Sequence, residues 1–189
     1  MNAATAKATP AITTWTIDPT HSHVEFAVRH LMITSVRGRF DGVKGTVITD
    51  DSNPAAARAH VEIDAATIDT REPQRDTHLR SADFFDVEKH PAITFTSTRV
   101  TDVSGDRFKL AGDLTMHGVT REVILDVTSE GRGKDPWGGD RAGYSAATKI
   151  KRSDFGLTWN QVLEAGGIAV GDEIKISLDL ELVKKQEGS

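Results

Sequence analysis

Asp18, His21 and Ser22 are the residue types of an orienting carboxylate, a general base and a nucleophile, and they crowd into one short segment. That crowding argues against a triad. The base must reach the nucleophile while the carboxylate reaches the far side of the base, and such groups come from separate elements. No Gly-x-Ser-x-Gly elbow occurs in the chain. His21, His23 and Glu25 are spaced i, i+2, i+4. On a strand they share one face and could hold Zn²⁺, although the plainer reading is a polar outer strand face. Gly131-Arg-Gly133 lacks the third glycine and the following helix of a dinucleotide site. Asp50-Asp51 reads as a turn. Arg71, Glu72, Arg75, Asp76, Arg80 and Asp83 are mixed in sign and read as a solvated helix surface with weak ion pairs. No catalytic residue and no metal ligand is assigned from these patterns. Catalytic groups could still converge from distant strands.

The elements that would position any site are strands. Ile174, Ile176, Leu178, Leu180 and Leu182 alternate with Lys175, Ser177, Asp179, Glu181 and Val183. That period of two gives one apolar and one polar face, whereas a helix would scatter the five residues around its circumference. Val24, Phe26 and Val28 alternate in the same way, as do Val61 and Ile63, then Phe108, Leu110, Gly112, Leu114 and Met116, then Val123, Leu125 and Val127. Ile93 and Phe95 open a Thr-rich strand, and Ala142 to Lys151 reads as another. Between Val36 and Ile48 the parity changes, because Phe40 fits one face while Val43, Gly45 and Val47 fit the other. An extra residue at Asp41-Gly42 restores a common face, as a β-bulge does. One stretch, Gln74 to Asp86 after Pro73, reads as one or two short helices, stopped before Pro91. Ser129 to Asp140 reads as one long hairpin loop, and Ser153 to Ala169 as irregular.

This pattern predicts an all-β chain of about eight antiparallel strands joined by short turns. Closure into a barrel removes the exposed edges; a two-sheet sandwich is the competing arrangement. The 189 residues suit one domain, here residues 15–184, with 1–14 read as a disordered arm and 185–189 as a disordered tail. A formal net charge of −5 gives no reason to expect nucleic acid as a partner. The absence of cysteine removes disulfides and thiolate metal sites. Met1 to Thr14 has no apolar run of signal-peptide length, so a cytoplasmic location is expected.

Several motifs lie in order along the chain: Trp15-Thr-Ile-Asp-Pro-Thr-His-Ser22 running to His30, Val36-Arg-Gly-Arg-Phe40 with Gly45, and Ile68-Asp-Thr70. Arg75 to Asp86, Pro91, Phe95, Gly112-Asp-Leu-Thr115 with Gly118-Val-Thr120, and Arg152-Ser-Asp-Phe-Gly-Leu-Thr-Trp-Asn160 complete the set. Together they resemble the YceI family of lipocalin-like, polyisoprenoid-binding proteins. The resemblance implies an extended eight-stranded antiparallel barrel with short helical insertions. It also implies an elongated internal site for a polyisoprenoid, an isoprenoid quinone or a fatty-acid derivative, and a homodimer. No other cofactor is expected, and transient membrane contact would fit such a ligand.

The inner faces mix large residues (Phe26, Phe40, Phe95, Phe108) with small ones (Gly112, Ala146). Taken alone, this mixture can leave a channel or interdigitate into a packed core; the resemblance implies the channel. The expected wall then includes Phe26, Val28, Phe40, Phe95, Phe108, Leu110 and Leu114. A polar head group would need partners at the mouth. The candidates are His30, which continues the inward parity of Val24 to Val28, together with Arg152, Trp159 and Asn160. Each also has a structural reading: His30 as a hydrogen-bonded core residue, Arg152 as a partner of Asp154, and Phe155 and Trp159 as plugs of the barrel. The expected function is a non-catalytic carrier or store, and an enzyme acting on the same lipid is the alternative.

Overall fold

The computed structural model describes residues 12–164 and 166–186. Among them are ten strands: β1 (Ile12–Ile17), β2 (His23–His30), β3 (Thr34–Phe40), β4 (Val43–Asp50), β5 (Arg58–Asp64), β6 (Ala92–Ser104), β7 (Arg107–Met116), β8 (Val119–Lys134), β9 (Asp140–Lys151) and β10 (Val170–Lys184). All pairings are antiparallel. The ring runs β1-β4-β5-β6-β7-β8-β9-β10 and closes by pairing β10 with β1. It is an eight-stranded lipocalin-like barrel, as the alternation predicts. The two further strands form the β2–β3 hairpin, which extends the ring along β10.

The extra strands come from two breaks, one at Asp41-Gly42 and one, facing β10, between Ile17 and His23. β10 pairs with β1 at its C-terminal end (Leu182 opposite Ile17) and with β2 over its N-terminal half (Leu178 opposite Val24). β1 and β2 therefore follow one another along a single edge of β10. At the break facing β10 the Ser22 hydroxyl stands in for the missing backbone partner. It accepts the Glu181 N–H at 3.0 Å and donates to the Glu181 carbonyl at 3.3 Å. Asp18 N–H donates to the same carbonyl at 2.9 Å. Ser22 is buried and is a structural hydroxyl.

The parity change at Asp41-Gly42 marks a strand break and not the expected bulge: the chain leaves β3, which pairs with β2, and starts β4, which pairs with β1 and β5. Phe40 and Val43 both face inward and are buried. Some boundaries differ from the sequence reading. Ile12 to Thr14, read as part of an arm, pair with β4 and belong to the barrel. The rest of that arm, and the tail from 187, lie outside the described residues. The expected loop at 129–140 is mostly strand, since β8 runs to Lys134 and β9 starts at Asp140. A bulge between Ser129 and Gly131 lets the glycines there continue the ladder.

The predicted helix is shorter than the sequence suggests. α1 spans Pro73–Arg80, with Pro73 in its first turn and Glu72 accepting the Gln74 N–H. It ends because Ser81 is extended and its hydroxyl donates to the His78 carbonyl at 2.7 Å. The helix is not a freely solvated surface. Asp76 is buried and accepts the backbone N–H and hydroxyl of Thr70. Arg75 donates to the Thr70 hydroxyl and carbonyl, and Arg80 to the carbonyls of Ala66 and Ile68.

The strand break facing β10 is held by charge. Arg141 Nη1 donates to Asp18 Oδ2 at 2.8 Å and to Glu181 Oε1 at 3.0 Å, while its Nε donates to Asp135 at 3.0 Å. His21 Nδ1 lies 3.1 Å from Asp18 Oδ2. The hydrogen bond with His21 is the chief reason the Asp18 carboxyl is held at about 2; burial opposes it, and Thr20 N–H and Arg141 assist. A folded-state value below the unfolded one, roughly 3.9, stabilises the fold above about pH 4 and loses that contribution as pH falls toward 2. Asp18→Asn should therefore lower stability at neutral pH and flatten its acid dependence in that window. Urea denaturation across pH checks this, and an unchanged acid slope in the variant would sink the assignment.

Candidate functional site

The barrel is hollow. A cavity of about 240 Å³ lies inside it, far more than the roughly 30 Å³ share of one water. Its wall follows the alternation that built the strands. On β10 the lining residues are Val170, Ile174, Ile176, Leu178, Leu180 and Leu182, a stretch on the order of 40 Å long at about 3.3 Å per residue. Val61 and Ile63, Ile93 and Phe95, Leu110 and Leu114, and Leu125 and Val127 supply the facing strands. One side is closed by Leu79 of α1 with Phe84 and Phe85 just beyond it, which is why the tethering of α1 matters.

Two glycines explain how large rings can line a lumen without filling it. A Cβ on Gly38 would stand 2.4 Å from Cζ of Phe26, and a Cβ on Gly112 would stand 2.4 Å from Cζ of Phe95. Each ring lies down against its glycine, along the wall. Phe26 and Phe40 then pack at 5.7 Å between centroids, and Phe40 meets Phe85 edge-on at 5.7 Å.

The expected wall residues Phe26, Val28, Phe40, Phe95, Phe108, Leu110 and Leu114 all face this cavity. The four head-group candidates divide. Arg152 reaches the cavity; His30, Trp159 and Asn160 do not line it. His30 is the last residue of β2, opposite Thr34 and Val170; Val170 lines the cavity and His30 does not. Trp159 packs edge-on against His78 at 4.7 Å and tilted against Phe84 at 5.2 Å. Asn160 donates to the Val170 carbonyl at 2.7 Å and accepts the N–H groups of Gln161 and Val170. It fixes the chain. Phe155 is fully buried under the 152–155 turn and does not line the cavity. Thr49, Thr94, Tyr144 and Thr148 are lining residues that sequence reasoning missed; parity could have placed Thr49, Tyr144 and Thr148, but not Thr94, which lies between the inward Ile93 and Phe95.

Arg152 does not pair with Asp154. Its guanidinium is buried and donates to the carbonyls of Gly171 (2.9 Å), Leu157 (2.6 Å), Trp159 (2.8 Å) and Val170 (3.3 Å). It ties the irregular 157–171 segment over one end of the barrel. Four of its five donors are thus used, and a single N–H remains beside the lumen. Burial lowers its pKa and Asp172 opposes that shift.

Of the residues weighed for Zn²⁺, His21 meets two carboxylates other than Glu25. His23 faces Asp179 at 3.6 Å, while Asp18, His21 and Glu181 bring ligand atoms within 4.8 Å of one another. Both carboxylates are already bonded to Arg141. Arg152→Lys should cost about 2 kcal/mol, because a point charge cannot satisfy four carbonyls as the fork does. Chemical denaturation and amide exchange over 157–171 measure this; an unaltered midpoint would contradict the role.

The family model for the YceI-like domain matches residues 15–182. Protein YceI of Escherichia coli O157:H7 is 45% identical over 137 residues, covering 72% of this chain and 71% of that protein. The crystal structure of a Campylobacter jejuni YCEI protein superposes with a TM-score of 0.70 at 31% identity, covering 84% of this chain and 90% of that one. A polyisoprenoid binding domain from Saccharophagus degradans, implicated in plant cell wall breakdown, shares the fold with a TM-score of 0.65 at 17% identity, covering 92% and 99%. The match of the family model along nearly the whole barrel, together with this degree of identity, places the chain in the YceI-like family.

Proposed function

We propose that this protein is a non-catalytic carrier or store for a long apolar ligand, a polyisoprenoid, isoprenoid quinone or fatty-acid derivative, held inside the barrel. The observation that carries the reading is an apolar lumen that runs along β10 and is left unfilled by its own side chains. Removing a hydrocarbon chain from water is worth roughly 0.8 kcal/mol per CH₂, so a long ligand can bind without specific contacts. The fold shared with the Saccharophagus degradans domain supports the ligand class. The lumen is also poor in chemistry. Among its lining residues are Arg58, Tyr144 and Arg152, but no histidine, carboxylate or serine to act as base or nucleophile. The remaining N–H of Arg152 suits a head-group oxygen at that end.

The protomer works as a homodimer that meets membranes transiently. β3 supports the pairing, because it is the last strand on its side of the sheet and beyond β2 it has one bridge, Arg39 to Asp69. Sedimentation should give twice the protomer mass; a protomer mass at every concentration would contradict this.

Titration with a fluorescent polyprenyl or quinone analogue tests the carrier reading. The wild type should bind saturably. Leu178→Trp, in the middle of the β10 wall, should weaken uptake about tenfold or more by filling the lumen while leaving the circular dichroism unchanged. Equal uptake by the variant would place the ligand outside the barrel, and turnover of the probe would favour an enzyme.

A further inference from the structure

We propose that the β2–β3 turn and the adjoining Val162 and Ile168 form a membrane-docking face, seated on a bilayer that carries anionic phosphate head groups. The proposal rests on the carrier reading and names the surface through which the barrel meets its lipid source.

The turn itself is the first observation. Leu31 and Met32 are both left-handed, with φ of 52° and 60°, and Ile33 N–H closes the turn on the His30 carbonyl at 3.1 Å. Such a turn favours Asn and Gly at its two centres. A leucine and a methionine there are strained, and strain held in a native structure points to a use for the side chains. Here they face solvent in part: Leu31 is 36% exposed, Met32 57% and the adjoining Ile33 73%.

The patch extends beyond the turn. Leu31 N–H donates to the Ala169 carbonyl at 2.9 Å, which holds the turn against the 161–168 loop. Val162 and Ile168 of that loop bridge to one another and are 80% and 40% exposed. Five aliphatic side chains thus share one end of the barrel. The cavity wall runs into the same end: Val170 lines the lumen, follows Ala169 and pairs with His30. Arg152, the buried cation of the lumen, bonds the Val170 carbonyl.

Charge selects the partner. Arg29 is held at the turn by donating to the Met32 carbonyl at 2.7 Å, and Arg37 points outward from β3. Neither pairs with a carboxylate among the described residues. The loop adds one carboxylate, Glu164. Aliphatic tips flanked by free guanidinium groups match the boundary between acyl chains and phosphates. The opposite end of β10 differs. Its exposed Trp137 stands alone on a turn beside Asp135 and Asp140.

Flotation of the full chain with vesicles of phosphatidylcholine and phosphatidylglycerol tests the assignment. The wild type should float. Leu31→Asn with Met32→Gly supplies the residues the turn favours, so it should fold at least as stably while vesicle binding falls about tenfold. Arg29→Gln should weaken binding to the anionic vesicles, and Trp137→Ser should leave it unchanged. A wild type that does not float, a double variant that floats equally, or loss confined to Trp137→Ser would each overturn the proposal. So would self-association lost in the double variant without flotation of the wild type, which would give the face to a second copy of the chain. Flotation is scored without ligand, so a barrel that floats but takes up no lipid counts against the carrier reading alone.

Discussion

β10 pairs with β9 on one side and with both β1 and β2 on the other, and this double pairing is the constraint on which the structure depends. Without it the sheet stays open, its edges are exposed and the inward apolar faces have nothing to enclose. The strand is long enough because its alternation holds from Ile174 to Leu182 without interruption. Its second side must be shared, since the chain that pairs there breaks after Ile17 and resumes at His23. Ser22, Asp18 and Arg141 bridge that break. Residue types that suggest chemistry in the sequence are fasteners in the fold.

A hollow barrel gives up part of the dispersion energy that a packed core would supply. Polar networks at its end hold the segments that cover it. Asp76 and Arg75 meet at Thr70, Arg80 reaches back to Ile68, and Arg152 gathers four carbonyls between Leu157 and Gly171. These residues belong to the motifs that mark the family resemblance. Most of them hold the cover in place rather than touch the lumen. Specificity for a ligand then rests on the shape of an apolar wall, where Phe26 lies on Gly38 and Phe95 on Gly112.

The strands and their inward faces were legible because a one-residue slip would turn every side chain of β10 to solvent. The parity change at Asp41-Gly42 was legible for the same reason, but it marks the break between β3 and β4 and not a bulge. The cavity was not. The same phenylalanines make a solid core or a lining according to whether each ring points inward or lies down, and that depends on a glycine of a neighbouring strand. The role of Arg152 was hidden as well. Its partners are backbone carbonyls, which carry no side-chain signature, so an acidic neighbour in sequence looked the better match. His30 had the right parity but does not line the cavity, although Val170 opposite it does.

The most direct test of a lumen built to hold lipid is mass spectrometry of the solvent extract from freshly purified protein. A prenyl, quinone or acyl species recovered in near-stoichiometric amount is the expected result. Protein that yields none of these, and remains empty after incubation with them, would contradict the account.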